Sequence, residues 1–111
     1  MDTTNATTVE KAVELRERIM VEFKEILPLI RIDTAESSAN VMKKAKFLFK
    51  AIGRFMDDEK ENLFPSDLGA LNILQSEIVK FITGFEKKGE IERLKEAKSM
   101  KNIAAAALEI H

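Results

Sequence analysis

The spacing of apolar residues constrains the fold more than any other feature, because they recur every three or four positions in four separate stretches. Residues with that spacing lie on one side of an α-helix, whereas a half-buried strand needs alternation. The first stretch predicts a helix that begins at Thr7 or Thr8, where Thr7 and Glu10 fit a capping box, and that ends at Pro28. Residues 29–33 are then a short apolar connection. The apolar stripe of this helix consists of Ala12, Leu15, Ile19, Phe23 and Ile26.

The second stretch predicts a helix that begins after Asp33 or Thr34 and runs to about Met56. Its apolar arc consists of Val41, Met42, Ala45, Leu48, Phe49, Ile52, Phe55 and Met56. An acidic stretch, residues 57–62, and the pair Phe64-Pro65 then form the longest predicted loop. We interpret the acidic stretch as a solvated cap, because it lacks the glycine and glutamate positions of a calcium-binding EF-hand loop.

The third stretch predicts a helix that opens after Pro65 with Ser66 as its N-cap and closes at Lys87 and Lys88, with Gly89 just past its end. Its inward residues are Leu68, Leu71, Leu74, Ile78, Phe81, Ile82 and Phe85. The fourth predicted helix runs from about residue 90 to residue 107. Its inward residues are Leu94, Ala97, Met100, Ile103, Ala104 and Ala107.

These four segments predict an all-α fold, an antiparallel up-down-up-down four-helix bundle. Residues 1–111 are expected to form a single domain, since a chain of this length can bury one core but not two. Short connections make consecutive helices antiparallel neighbours. Residues 1–7 and the last few residues are predicted to be disordered.

The composition indicates which cellular compartment and which kinds of partner to expect. Because the chain has no cysteine, it can form neither disulfides nor thiolate metal sites. The 18 basic and 19 acidic residues nearly cancel, which argues against nonspecific binding to nucleic acid. The amino-terminal residues resemble neither a signal peptide nor an anchor, and no apolar run approaches the roughly 20 residues of a membrane span. We therefore expect a soluble, cytoplasmic protein.

Catalysis has few candidate residues in this chain. The single histidine, His111, is the last residue, where nothing holds a general acid or base in place. The sequence contains no Glu-x-x-His pair for a metal site in a helical bundle, no glycine-rich phosphate loop and no nucleophile elbow. We predict that the protein is not an enzyme, has no catalytic, metal or cofactor site, and acts by binding a partner.

Two surfaces are candidates for partner binding. The first, called the cationic stripe here, lies on the outer side of the second helix and consists of Lys43, Lys46, Phe47, Lys50 and Arg54. Such a stripe is often merely solvated, but an aromatic ring among cations also suits an acidic protein, anionic lipid head groups or nucleic acid. The second surface is the outer side of the third helix, with Ile73, Lys80 and Gly84. A glycine inside a helix costs about 1 kcal/mol relative to alanine, so Gly84 indicates either a close approach by another helix or a weak point.

Two stretches of the carboxy-terminal half resemble a known family. They are residues 65–72, PSDLGALN, at the start of the third helix, and residues 94–103, LKEAKSMKNI, in the fourth. Both are similar to the corresponding parts of the immunity proteins that protect producers of class IIa (pediocin-like) bacteriocins, the enterocin A immunity family. The chain length, the order of four helices and the second helix rich in Lys and Leu are also similar. Unlike many members, this chain is close to neutral and has no Tyr or Trp in its tail.

The resemblance implies a cytoplasmic protein, in part at the inner face of the membrane, that protects the producer cell. Its implied partner is the mannose phosphotransferase permease with bacteriocin engaged, and the implied toxin-selecting part is the half of the chain after Pro65. The residues alone also allow a non-catalytic helical adaptor or oligomerisation module of unknown partner, motivated by Phe47 and Ile73. Nucleic-acid binding through the cationic stripe is a third interpretation.

Overall fold

The computed structural model describes residues 3–110, with side chains from residue 7 onwards, as four α-helices joined by short turns. The helices are α1 (Thr3–Ile32), α2 (Ala35–Glu59), α3 (Pro65–Gly84) and α4 (Glu90–Ala107). One 3-10 turn follows α2 at Lys60–Asn62, and another follows α3 at Phe85–Lys87. Each helix packs on its neighbours in sequence, and α4 packs back on α1, so the four helices form a closed ring. The predicted all-α bundle is confirmed, with dimensions of 51 × 20 × 18 Å.

The predicted apolar stripes form the core. No member of the four stripes is exposed, and those that are partly buried pack against the edge of the core. Phe81 and Phe85 contact each other in a tilted arrangement with ring centroids 5.3 Å apart. Leu108 and Ile110, beyond the end of α4, are also buried, which differs from the predicted disordered end. Residues 1, 2 and 111 lie outside the described residues, and so does the disorder predicted for them.

Pro28 does not end α1, which continues to Ile32. Proline has no N–H, so the helix loses its bond to the carbonyl of Lys24. Pro28 is exposed, and water can therefore hydrogen-bond to that carbonyl. Beyond it, Ile30 is only 1% exposed, and its burial offsets the lost bond. The predicted connection at 29–33 was therefore wrong, as was the start at Thr7 or Thr8, because α1 already includes Thr3.

The acidic stretch at residues 57–62 is helical and partly buried, which corrects both its prediction as a loop and its interpretation as a solvated cap. Residues 57–59 complete α2, and residues 60–62 form the 3-10 turn. Glu59 is 6% exposed, accepts a hydrogen bond from the Thr8 hydroxyl at 3.1 Å, and pairs with the Lys11 ammonium at 3.5 Å. A buried carboxylate with two partners on α1 ties the end of α2 to the start of the bundle.

Two predicted helix ends also differ. The N-cap of α3 is Phe64, whose N–H donates to the Asp67 carboxylate at 3.2 Å, so the predicted cap at Ser66 was wrong. Asp67 satisfies the N–H without a capping hydroxyl. Gly89 is the N-cap of α4 with φ −76°, and it does not adopt the left-handed conformation of a residue just past α3. The predicted start of α2 after Thr34 is confirmed, because Thr34 is its N-cap.

Arg93 links the two turns at the other end of the bundle. Its Nε donates to the Phe85 carbonyl at 2.7 Å, and its Nη1 donates to Asp33 Oδ1 at 2.8 Å. The guanidinium also lies 4.3 Å from the centroid of the Phe85 ring. Asp33 follows the last residue of α1 with φ 48°, the left-handed conformation common at helix ends. One buried cation thus holds the α1–α2 corner against the α3–α4 turn.

We predict that Arg93→Met lowers the free energy of unfolding by about 2 kcal/mol. Methionine keeps an apolar contact with the Phe85 ring but leaves the Phe85 carbonyl without its donor. The ion pair adds little, because Asp33 is more than half exposed. Urea denaturation measures the change, and Lys95→Met, an exposed position two residues along α4, is the matched control with an expected change below about 0.5 kcal/mol. Equal midpoints for the two variants would contradict this role of Arg93.

Candidate interaction surface

The cationic stripe is exposed, as predicted, and lies along the outer side of α2. Each member lies three or four residues from at least one other, so the helix turns them all outward, opposite the core arc. The Phe47 ring is 41% exposed. None of the stripe's Lys and Arg side chains forms an ion pair with another residue of the part of the chain that the structure describes.

An open groove with a volume of about 900 Å³ runs between α1 and α2 beside this stripe. Phe47, Leu15 and Phe55 give it an apolar floor. The Arg18 guanidinium of α1 crosses the groove and lies 4.7 Å from the centroid of the Phe47 ring, a cation–π contact. The Phe47 ring is therefore partly covered by a cation from the neighbouring helix.

The charges of the groove are balanced. Four cationic and four anionic side chains line it: Lys11, Arg18, Lys50 and Arg54, with Glu14, Glu17, Glu22 and Asp58. The sequence-based interpretation considered the cations of α2 alone and missed the acidic edge of α1. A uniformly charged partner, such as a nucleic acid or an anionic membrane, meets repulsion here as well as attraction.

Lys44 fixes the position of α1 on α2 beside the groove. Its ammonium pairs with Glu25 at 2.7 Å and with Glu22 at 3.0 Å. The hydrogen bond to Glu25, and then the one to Glu22, raise the pKa of Lys44 above its usual value. The two carboxylates lie one helical turn apart on α1, so a single lysine holds both.

A second, smaller groove lies on the other side of the stripe, between α2 and α3. It has a volume of about 230 Å³ and is lined by Lys46, Phe49, Lys50, Val79 and Ile82. A Cβ atom at Gly53 of α2 would lie 2.9 Å from Nε2 of Gln75, the end of a side chain of α3. That Nε2 donates to the Phe49 carbonyl at 3.2 Å. Gly53 thus leaves room for the Gln75 amide beside α2, and among the described residues no backbone atom of another helix lies close to a Cβ atom at Gly53 or at Gly84.

The remaining predicted residues lie on a separate surface. Ile73 is 61% exposed on α3, and the Lys80 ammonium pairs with Glu77 of the same helix at 3.5 Å. A Cβ atom at Gly84 would meet only the flexible Lys88 side chain, 3.2 Å away at Cε, so the predicted close approach of a helix is not found there. None of these residues lines either groove described above. The two groups of predicted binding residues therefore lie on two separate surfaces.

Sequence reasoning missed the acidic edge of α1, which consists of Glu14, Glu17 and Glu22 and lies among the cations Lys11 and Arg18. Glu14 is exposed and lies three and four residues before the exposed Glu17 and Arg18, so these side chains share one side of α1. The rotation of α1 on α2 places them beside the same groove as the stripe of α2, and the pattern of a single helix does not predict that rotation.

Within residues 3–110, no group of three or more side chains could hold a metal ion, and no helix has the length and apolar character needed to cross a membrane. Comparisons with protein-family models, with curated proteins and with solved structures found no match.

We predict that Lys44 titrates above 10.5 in the folded protein and that Glu25→Gln moves its pKa back toward that value. Because the folded pKa is raised, the two ion pairs stabilise fully below pH 10.5 and lose their effect as pH rises through the folded pKa. A ¹³Cε NMR titration of the lysines measures the pKa of Lys44 in the wild-type protein and in the Glu25→Gln variant. Glu17→Gln, which removes a carboxylate that does not contact Lys44, is the control and should leave the curve unchanged. An equal shift in both variants would contradict the specific role of Glu25.

Proposed function

We propose that this protein is a bacteriocin immunity protein that protects the producer cell by binding the bacteriocin-engaged membrane receptor from the cytoplasmic side, without catalysis. The observation that carries the proposal is the resemblance of residues 65–72 and 94–103 to the enterocin A immunity family. In the structure, these stretches lie on α3 and α4, two helices that pack together. The four-helix order is compatible with the same family.

Burial divides the resembling residues into two groups. Leu71, Ala97 and Met100 are buried and serve the core. Asn72 and Asn102 are exposed, as are Lys95 and Lys98 of α4, so these side chains are available to a partner. Under this proposal, toxin selection lies on the exposed side of the α3–α4 hairpin, and the implied partner is the mannose phosphotransferase permease with its bacteriocin.

Expression in a sensitive Gram-positive host is expected to protect the cells against at least one member of a panel of class IIa bacteriocins, with a rise of the inhibitory concentration by a factor of about ten, the ratio that about 1.4 kcal/mol would give in a binding constant. The growth assay itself measures the concentration and not a free energy. Asn72→Lys should reduce protection, because it places a cation on the proposed selecting surface. Asn40→Lys makes the same change on α2 and should leave protection intact.

Immunoblotting of cell extracts establishes that every variant accumulates. Full sensitivity to the whole panel, in cells that contain the protein at a normal level, would refute the immunity function.

The second candidate function is a helical adaptor or oligomerisation module, which the exposed side chain of Ile73 favours. An apolar residue of this size, 61% exposed on a helix surface, is a suitable anchor for another protein or another copy. This candidate requires no toxin and no membrane receptor.

Under this second candidate, wild-type protein dimerises through α3, and Ile73→Asp removes the dimer because a carboxylate is buried in the contact. Light scattering coupled to size exclusion measures the mass. Ser99→Asp, at an exposed position on α4, is the control and should leave the dimer intact. Wild-type protein of monomer mass, or a dimer indifferent to Ile73→Asp, would exclude self-association through Ile73.

A further inference from the structure

The contacts between α1 and α2 fix which of their residues lie at the same level along the bundle. The pairs Thr8–Glu59 and Glu22–Lys44 each join the two antiparallel helices directly. Both helices rise by about 1.5 Å per residue, so the levels between these contacts follow by counting inward from each end. The α1–α2 face, meaning the exposed outer side of these two helices, can therefore be described level by level.

Opposite charges face each other across the groove at two consecutive levels. Glu14 of α1 is level with Arg54 of α2, and one turn further along Glu17 is level with Lys50. All four side chains are exposed and line the groove. Within residues 7–110, none of the four forms an ion pair, although the two helices hold them on opposite walls.

The next level is apolar. Val21 is 54% exposed on α1 and lies level with Phe47, which is 41% exposed on α2. Arg18 lies near the level of Lys50 and has the same sign, but its guanidinium rests on the Phe47 ring. At these two levels α1 thus presents Glu14 and Glu17, and α2 presents Arg54 and Lys50, with an apolar pair at one end. Elsewhere along the groove Lys11 and Arg18 of α1 and Asp58 of α2 carry the opposite sign.

We propose that the α1–α2 face binds a second copy of this chain in a two-fold symmetric dimer. A two-fold axis that lies in the interface, parallel to the helices, places α1 of each copy over α2 of the other and preserves the levels. Glu14 and Glu17 of each copy then meet Arg54 and Lys50 of the other, and Val21 meets Phe47. Every contact occurs twice, which is the self-complementary pattern of a closed dimer.

The size of the face supports a reversible dimer. From the level of Thr8 to that of Arg31, α1 is about 35 Å long, and two packed helices are about 18 Å wide, so each copy contributes a footprint of about 600 Å². The two copies together bury about 1,200 Å², the lower end for specific interfaces. Charge complementarity selects the second copy over an anionic lipid surface or a nucleic acid, because the groove has as many anionic as cationic side chains.

Sedimentation equilibrium of the full chain, over a wide range of concentration at low salt, tests the proposal. The mass should rise toward twice the 12.6 kDa of the chain. Two charge-reversed variants, Glu14→Lys/Glu17→Lys and Lys50→Glu/Arg54→Glu, should each weaken dimerisation at least about tenfold, because they place like charges at both ends of the symmetric contact. An equimolar mixture of the two should recover the dimer, since each reversed wall then meets an opposite charge.

Two controls separate this contact from other causes. Lys95→Glu/Lys98→Glu changes the net charge as the second variant does but lies on exposed positions of α4, so its dimer should persist. Ile73→Asp should also leave the α1–α2 dimer intact. A dimer that forms through Ile73, as the second candidate function expects, would instead be lost in this variant. The inference does not rest on the immunity function.

Circular dichroism and thermal unfolding verify that each variant is folded. A wild-type protein that stays at monomer mass, a dimer indifferent to both reversals, or a mixture of folded variants that stays monomeric would each overturn the proposal.

Discussion

Burial of one apolar stripe from each helix holds this bundle together. Because each stripe turns inward, it also decides which residues of its helix remain on the surface. Fully buried residues such as Leu48 and Leu74 each contribute about 1.5–3 kcal/mol to folding, whereas a surface ion pair contributes about 0–1 kcal/mol. The core therefore decides that the helices pack, and the weaker polar contacts decide their alignment. Lys44 and Glu59 align α2 on α1, and Arg93 holds the opposite end closed.

Most of the fold could be predicted from the sequence, because the apolar periodicity of each helix is a local property. The misses occurred where distant residues decide the outcome. Proline disfavours the helix interior, yet Pro28 is exposed and the burial of Ile30 beyond it keeps α1 helical. The acidic stretch looked solvated until α1 supplied Thr8 and Lys11 as partners for Glu59. Neither partner is near Glu59 in the sequence.

The sequence predicts which residues of one helix are exposed, but it does not predict which residues of two helices share a surface. The spacing on α2 correctly exposed its cations and Phe47. It could not show that Glu14 and Glu17 would line the same groove, because that depends on the neighbour of α2 and on its rotation. The charge of one helical stripe follows from the sequence of that helix, whereas the charge of a groove depends on both helices that line it. The surface beside the basic stripe of α2 is therefore balanced in charge.

The ring of helices also determines how the two proposed surfaces could work together. Because α1 packs on α2 and α4, the α1–α2 face and the α3–α4 hairpin lie on opposite sides of the bundle. A dimer through α1 and α2 would leave both hairpins free and facing in opposite directions. Two receptors in one planar membrane could not engage both hairpins at once, so such a dimer would gain no avidity there. Self-association through α1 and α2 would then leave the affinity of each hairpin unchanged.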